Sequence, residues 1–397
     1  MAVSAVRYTK PVLIALLSGS AGDSRCGVGD YSFELAQHLA LDAEVHLYYA
    51  RGHGPAEQPF NKLTSLHLHE LPGFSLLTMN SLVRDLRKKG YDIVHLQYPS
   101  RGFGKALGPV YLPKKLAGMG SRSRLVLSLH EWTTSHPLRR MAVGEMLPHI
   151  DALVVMCEAE LNALSGKLGE RPVVMLPVGN LLGSRDELEE IWLKAEGKPV
   201  PGLPKPTELI SREPMSLFHY GLPAKGKQLK LLLEALSLTR KAGVDARLYL
   251  GGEFRPGGRR TEELLNWITE LNLINAVVRL GHIPQQLLAK TACQYALGVF
   301  PFAEGFSTKR SSLVALSQLA LPLVVGAGSS EEHPYYAPQK NTAASLSVLL
   351  VELLTGRLEQ EWVAQIKRQR GYSQRFSFAA IASAHIDLYQ RLRRLDI

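Results

Sequence analysis

The sequence predicts an α/β chain made of two doubly wound halves, each a parallel sheet covered by helices. Three observations predict it. At 397 residues the chain exceeds what one hydrophobic core serves, so two or three domains are expected. Short apolar runs alternate with amphipathic stretches, the pattern of strands joined by crossover helices. A segment with five prolines, 197–214, then interrupts the alternation, which starts again after it and reads as an interdomain linker.

In the first half the strand candidates are Pro11–Leu17, Glu44–Tyr49, Asp92–Gln97, Leu125–Leu129, Ala152–Met156 and Val173–Leu176. Helical patterns such as Tyr31–Leu39 and Met79–Lys89 lie between them. After the linker come a strand at Ser216–Tyr220, a helix at Leu229–Ala242, a strand at Arg247–Gly251 and a helix at Thr261–Leu271. Strands at Val277–Leu280 and Gly298–Phe302, a helix at Ser311–Ala320 and a strand at Leu323–Val325 complete the second series. In such sheets ligands bind outside the carboxyl ends of the strands, here expected in a cleft between the lobes. No short-period repeat is present, which argues against a solenoid.

Composition narrows the class. Apolar residues make up 46% and charged residues 21%, the balance of a globular chain rather than a disordered one. No apolar run approaches the roughly 20 residues of a spanning helix. The run Val12–Leu17 reads as a buried first strand rather than a secretory signal. Three distant cysteines, Cys26, Cys157 and Cys293, predict a reducing cytoplasm and neither a disulfide scaffold nor a structural zinc site. With 46 basic against 36 acidic residues the formal charge is +10, which suits phosphate-bearing partners: nucleic acid, anionic lipid or a nucleotide. No helix-turn-helix, RNA-binding or zinc module accompanies that charge, so nucleic acid is not the expected partner.

Three loops hold chemistry-bearing residues. Gly27-Val28-Gly29 follows the first strand at the mouth of a helix, where backbone amides and the helix N-terminus attract anions. It lacks the full dinucleotide fingerprint, and a simple tight turn stands beside the binding reading. The second loop, after the strand expected to end at Phe302, carries Glu304, Gly305, Ser307, Thr308, Lys309 and Arg310, with Ser311 and Ser312 opening a helix. Two cations, several hydroxyls and free amides on one short loop suit a diphosphate, and Glu304 suits a sugar or ribose hydroxyl. The third runs from Gly221 to Lys227, joining a strand to a long helix and offering Lys227 to the same phosphates. Taken singly, each residue also reads as loop decoration.

Beside these motifs the chain resembles glycosyltransferase family 4, retaining sugar-nucleotide transferases of the GT-B fold. Gly27-Val28-Gly29-Asp30-Tyr31 resembles the family's glycine loop, Asp92-Ile93-Val94-His95 its "DVVH" strand, and Val155-Met156-Cys157-Glu158 its "VSE" step. Leu176-Pro177-Val178-Gly179-Asn180 stands where the family has "IPNGVD". Gly221 to Lys227 resembles the "FGxxxxxKG" phosphate loop, with Leu222 where the family has the arginine of "GRL". Arg279 to Pro284 resembles the turn whose backbone, at His282 and Ile283, holds the nucleobase. Phe376-Ser377-Phe378 resembles the "FSWxxIA" start of the last helix, which crosses back to the first lobe. Glu304 matches the first of the family's two glutamates; Ser312 falls at the second by direct count, or Ala315 when Pro322 is the anchor. The segment is more similar to a sub-branch in which basic residues at the helix start replace that carboxylate, here Lys309 and Arg310.

The resemblance implies a GT-B fold of two Rossmann-like domains, 1–196 for the acceptor and 215–375 for the nucleotide sugar, with 376–397 returning to the first. It implies transfer of a sugar, with retention, from a nucleoside diphosphate sugar to a glycan, glycolipid or small-molecule hydroxyl in polysaccharide or glycoconjugate assembly. No metal or other cofactor is expected: Lys227, Lys309, Arg310 and helix amides would carry the leaving-group charge. Ser128-Leu129-His130 places His130 where the family has a histidine beside the reacting sugar; a buried structural histidine is the plain alternative. Segment Arg101–Arg124 mixes Phe103, Leu107, Tyr111, Leu112 and Leu116 with basic residues. It reads either as a peripheral contact with an anionic membrane on the cytoplasmic face, reaching a lipid-linked acceptor, or as a loop and helix beside the acceptor site. Rival readings are a non-catalytic GT-B nucleotide-sugar-binding or partner protein and a sugar-nucleotide epimerase.

Overall fold

A computed structural model describes residues 11–22, 26–55, 63–118, 122–133, 135–179, 212–221, 223, 225–283, 285–319, 321–329, 331–356 and 359–394. Asn180, Leu222, Pro284 and the proline-rich segment as far as 211 lie outside them. The chain forms two compact units, Met1–Gly179 with Ser377–Ile397, and Asn180–Phe376.

The first unit is built on seven parallel strands: β1 (Val12–Leu17), β2 (Ala43–Ala50), β3 (Leu66–Leu71), β4 (Ile93–Tyr98), β5 (Arg124–Leu129), β6 (Ala152–Val155) and β7 (Val173–Met175). Their order is β3-β2-β1-β4-β5-β6-β7. The almost wholly apolar β1 is central because it must be covered on both faces. The expected strands are present, but β3 was not among them. Its sequence Leu-His-Leu-His-Glu-Leu is half-buried along its length, as an edge strand permits.

The second unit repeats the scheme with β8 (Glu213–Tyr220), β9 (Arg247–Gly251), β10 (Val277–Gly281), β11 (Tyr295–Phe300) and β12 (Leu323–Val325), ordered β10-β9-β8-β11-β12. Three strand ends differ from expectation by two residues or more: β11 starts at Tyr295 rather than Gly298, and two others have a visible cause. β8 starts at Glu213, whose N–H bonds the Gln294 carbonyl, so the strand reaches into the segment read as linker. β11 stops at Phe300 rather than Phe302, since Pro301 has no N–H to continue a ladder.

Helices α1 (Gly27–Leu39), α2 (Leu76–Lys89), α3 (Gly108–Gly118), α4 (Pro137–Met146) and α5 (Glu158–Leu164) connect strands of the first unit. Helix α3 tolerates Pro113 in its interior, and its apolar positions decide the fate of segment 101–124. Phe103, Leu112 and Leu116 are buried in the core, so of the five apolar residues noted there only Leu107 and Tyr111 face outward. The second unit adds α6 (Leu229–Lys241), α7 (Arg259–Glu270), α8 (Gln285–Ala292), α9 (Ser311–Ser317), α10 (Ala343–Leu354) and α11 (Glu359–Ser373). Helix α9 ends three residues earlier than the expected Ala320.

The last helix, α12 (Phe378–Arg394), belongs to the first unit and packs on α1. Phe378 lies 5.6 Å, ring to ring, from both Tyr31 and His38, and its ring covers Gly179 so closely that a Cβ there would come within 2.4 Å. Arg393 pairs with Asp92 at 3.5 Å. Deeper in, the fully buried Tyr389 hydroxyl meets His95 Nδ1 at 2.6 Å. Tyr389→Phe keeps the packing but strands a buried imidazole nitrogen; a loss of about 1–3 kcal/mol of unfolding free energy is expected by urea titration. A loss below the error of that titration would mean the bond contributes nothing.

Candidate functional site

In both sheets the strand order reverses beside the first strand of the unit, between β1 and β4 and between β8 and β11. At such a switch point the flanking crossovers leave to opposite faces, and the carboxyl ends of the two strands open a crevice. The loops singled out from the sequence stand at these two places.

In the first unit, α1 starts after Cys26, which gives its first turn no side-chain cap. Gly27 is open, with nothing within 4 Å of where a Cβ would sit. Gly29 is held against Ser20, where a Cβ would come within 2.7 Å. The two glycines therefore differ: one leaves room, the other permits close packing.

His130 follows β5 and is buried at 8% exposure. Its proton is set by a chain of polar groups. Gln97 Nε2, a donor only, points at His95 Nε2 at 3.2 Å, so that nitrogen accepts, also from Ser128 Oγ at 2.8 Å. His95 Nδ1 then donates to Tyr389. Gln97 Oε1, the accepting end of the same amide, takes His130 Nε2–H at 2.8 Å. His130 is thereby a neutral imidazole with Nδ1 as its acceptor. Burial, assisted by His385, pushes its pKa down to about 3. Tyr31 sits edge-on at 5.1 Å, its hydroxyl buried without a hydrogen-bond partner among the described residues.

In the second unit, residues 85 apart in sequence converge. Lys227, in a turn of 3-10 helix before α6, donates from Nζ to Ser312 Oγ at 2.9 Å. Its ammonium lies 5.0 Å from the centroid of the Phe302 ring, and the Arg310 guanidinium lies 4.9 Å from the same centroid. Gly221 makes this possible: with φ +143°, a Cβ there would stand 2.4 Å from Lys227 Nζ. Burial and then the neighbouring Arg310 lower the Lys227 pKa to about 8, against the raising influence of Glu304. Arg310 is ion-paired with Glu304, while its Nε is buried with no hydrogen-bond partner among the described residues. Two cations held this close, with one donor unmet, offer the chemistry that an anion would satisfy.

The rest of the loop divides. Ser311, exposed, and Ser312, half-buried, open α9, for which Arg310 is the N-cap residue. Lys309 is half-buried. Ser307 is buried, with its carbonyl accepting the Arg310 N–H at 3.0 Å. Thr308 is fully buried, and its hydroxyl donates to Glu331 Oε1 at 3.1 Å, so it braces the loop. Gly305 lies against Ser329, whose Oγ accepts the Phe306 N–H at 2.6 Å and meets His333 Nε2 at 2.9 Å. Ser329, Glu331 and His333, in the loop after β12, are supports that the sequence reading did not select. Their signal is the Gly-Ala-Gly-Ser-Ser-Glu-Glu-His run directly after an apolar strand. His282 is exposed and Ile283 buried just past β10; His282 borders a depression of about 610 Å³ shared with Glu253, Phe254, Arg279 and Gly281.

Buried neutral histidines tie stability to pH. His130 and His219 titrate at about 3 and His385 at about 4, each lowered first by burial, against 6.5 for an ordinary histidine. Between those values the unfolded chain binds more protons than the folded one, so stability is complete above pH 6.5 and is lost as pH falls toward 4. Unfolding free energy is expected to fall by about 1.4 kcal/mol per pH unit for each such histidine. Urea titrations between pH 7.5 and 5 check it; a flat profile refutes it.

Residues 26–179 match the family model described as Glycosyltransferase Family 4. No curated protein matches the sequence. Among solved structures, the chain is similar to HepE of Anabaena in complex with UDP and glucose, at 16% identity, covering 96% of this chain and 100% of that one with TM-score 0.64. It is similar to sucrose-phosphate synthase from Thermosynechococcus elongatus, at 17% identity, covering 96% and 98% with TM-score 0.67. It is also similar to a UDP-forming α,α-trehalose-phosphate synthase from Burkholderia vietnamiensis, at 13% identity, covering 98% and 99% with TM-score 0.71. These likenesses extend over nearly the whole chain and show its fold to be GT-B.

Proposed function

We propose that this family-4-like GT-B glycosyltransferase moves a sugar, with retention of configuration, from a nucleoside diphosphate sugar to a hydroxyl acceptor. The observation that carries the reading is the meeting of Lys227, Arg310 and Ser312 around Phe302 at the β8/β11 switch point. Similar structures, one in complex with UDP and glucose and one of a UDP-forming synthase, support a UDP-sugar as the first donor to try.

In this reading Lys227 and Arg310 take the diphosphate. Glu304, now on Arg310, is at hand for a sugar hydroxyl. Ser312, at the position of the family's second glutamate by direct count, bonds Lys227. A hydroxyl there leaves the local charge more positive than a carboxylate would. As the bond from the anomeric carbon to phosphate oxygen breaks, negative charge grows on the diphosphate and the two cations hold it. The acceptor oxygen forms its bond on the face the diphosphate leaves, and its proton passes to the departing phosphate oxygen. In the first unit His130, neutral and fixed by Gln97, offers Nδ1 as an acceptor for a sugar hydroxyl. None of these steps asks for a metal ion.

Lys227→Ala and Arg310→Ala are each expected to weaken nucleoside diphosphate binding about 10–100-fold, the worth of one charge-assisted hydrogen bond. His130→Ala is expected to keep binding and lose turnover. Titration calorimetry over UDP, GDP, ADP and TDP, with donor-consumption assays, separates the cases. Unchanged affinity in Arg310→Ala would overturn the phosphate site; nucleotide binding without transfer to any acceptor would favour the non-catalytic reading.

A peripheral contact with an anionic membrane is part of this proposal. Helices α2, α3 and α4 pack side by side, and their first turns, all at the carboxyl edge of the sheet, expose Leu77, Leu107, Tyr111, Leu138 and Met141. Lys105, Lys114 and Arg140 are exposed among them, the mixture that suits an acidic lipid surface. No helix among the described residues is long and apolar enough to cross a membrane. Flotation with vesicles containing phosphatidylglycerol is expected to carry the protein up, and Leu77→Glu with Leu138→Glu to abolish it. Equal flotation of parent and variant, or none at all, would refute the contact.

A further inference from the structure

Away from the candidate site, the outer edge of the first sheet gathers three histidines and a glutamate. Strands β2 and β3 pair in parallel with His46 opposite His67 and Tyr48 opposite His69. Strand alternation puts Glu44, His46 and Tyr48 on one face, and the rings of His67 and His69 lie on that same face. His46 stacks between its neighbours, 4.5 Å from His67 and 5.0 Å from His69.

The distances within this group are informative. Glu44 Oε1 lies 3.5 Å from His46 Nε2 and 3.7 Å from His67 Nε2. Both are longer than a nitrogen–oxygen hydrogen bond, which closes to about 2.7–3.2 Å. They are close to the edge of a tetrahedron around zinc, roughly 3.4 Å when bonds to nitrogen and oxygen are about 2.0–2.2 Å. One ligand atom from each of Glu44, His46 and His67 falls within 4.8 Å of the other two.

The supporting contacts fit. His46 Nδ1 is 2.8 Å from His69 Nε2, so with a cation on its Nε2 it donates its one proton to His69. This is the orientation that a metal-ligating histidine receives from a second residue. His69 is itself stacked on Tyr48 at 4.6 Å, and the Tyr48 hydroxyl meets that of the buried Tyr91 at 2.8 Å. The ammonium of Lys89 stands beyond them, 3.5 Å from the Tyr48 hydroxyl. Access is open: the side chains of Glu44 and His67 are 53% and 40% exposed, His46 13%.

We propose that Glu44, His46 and His67 form a binding site for a zinc-type divalent cation, which joins edge strand β3 to β2 and keeps a fourth position for water. Two imidazoles and one carboxylate select Zn²⁺ over Mg²⁺, which takes oxygen ligands. The residues lie toward the amino ends of their strands, the sheet edge away from the loops at the β1/β4 switch point. Occupancy therefore leaves the proposed transfer site untouched, and the inference stands apart from that function.

The test uses the full chain prepared without a histidine tag and stripped with EDTA. Titration with ZnCl2 is expected to show one site, and a thermal midpoint that rises with Zn²⁺ but not with Mg²⁺. His67→Ala combined with Glu44→Gln, at partly exposed positions, is expected to abolish both while melting as the parent does without metal. His69→Ala is expected to weaken Zn²⁺ binding about 10–100-fold without removing a ligand. Co²⁺ should give the visible absorption of a tetrahedral site in the parent and not in the double variant. No zinc-dependent rise in the parent, or the same rise in the double variant, would overturn the proposal.

Discussion

The parallel pairing of β8 with β11, mirrored by β1 with β4, is the constraint on which the rest depends. Parallel neighbours cannot be joined by a tight turn, so each must be reached by a crossover, and crossovers in a right-handed series build the sheet outward from its first strand. Both units begin inside their sheet and grow to one side, then to the other. The loop after the first strand and the loop after the strand that reverses direction must then share one crevice. In the second unit that brings Gly221 and Lys227 to the loop holding Glu304 and Arg310; in the first it seats the glycine loop beside the end of β4.

Within those crevices, burial sets the chemistry. Lys227 and Arg310 face one aromatic ring; Glu304 is the counter-ion of Arg310, and Lys227 is held by the Ser312 hydroxyl. The lowered Lys227 pKa reflects burial first and the charge of Arg310 beside it second, and an anion arriving there would offset both. His130 shows the opposite use of burial. Its proton position follows from Gln97, His95 and Tyr389, so the C-terminal helix reaches the candidate catalytic histidine through three hydrogen bonds. That helix thus positions the ring as well as covering α1.

What could be read in advance followed the strength of the local signal. The central strands were legible because residues covered on both faces must be continuously apolar, as in Val12–Leu17. Strand β3 was not, since an edge strand needs only half its surface covered, and alternating Leu and His resembles no buried run. Segment 101–124 was legible only as a choice between a membrane contact and a loop and helix beside the acceptor site; the structure forms helix α3 there, with Phe103, Leu112 and Leu116 of the segment in the core. On the phosphate-type loop, Arg310 and Ser312 were legible as types. That Thr308 would turn to Glu331 was not, because its partner lies beyond another strand.

By itself the sequence determined the two-sheet plan, the order of the central strands along the chain, and which loops carry cations, glycines and hydroxyls, because each is a property of residues near one another in the chain. Only the tertiary structure decided which of those groups meet: Lys227 with Ser312, His130 with Gln97, and Glu44 with His46 and His67. The reason is physical. Hydrophobic periodicity encodes which face of an element is buried, but proton positions, charge pairing and ligand geometry arise between elements whose neighbours are chosen by the strand order of the sheet.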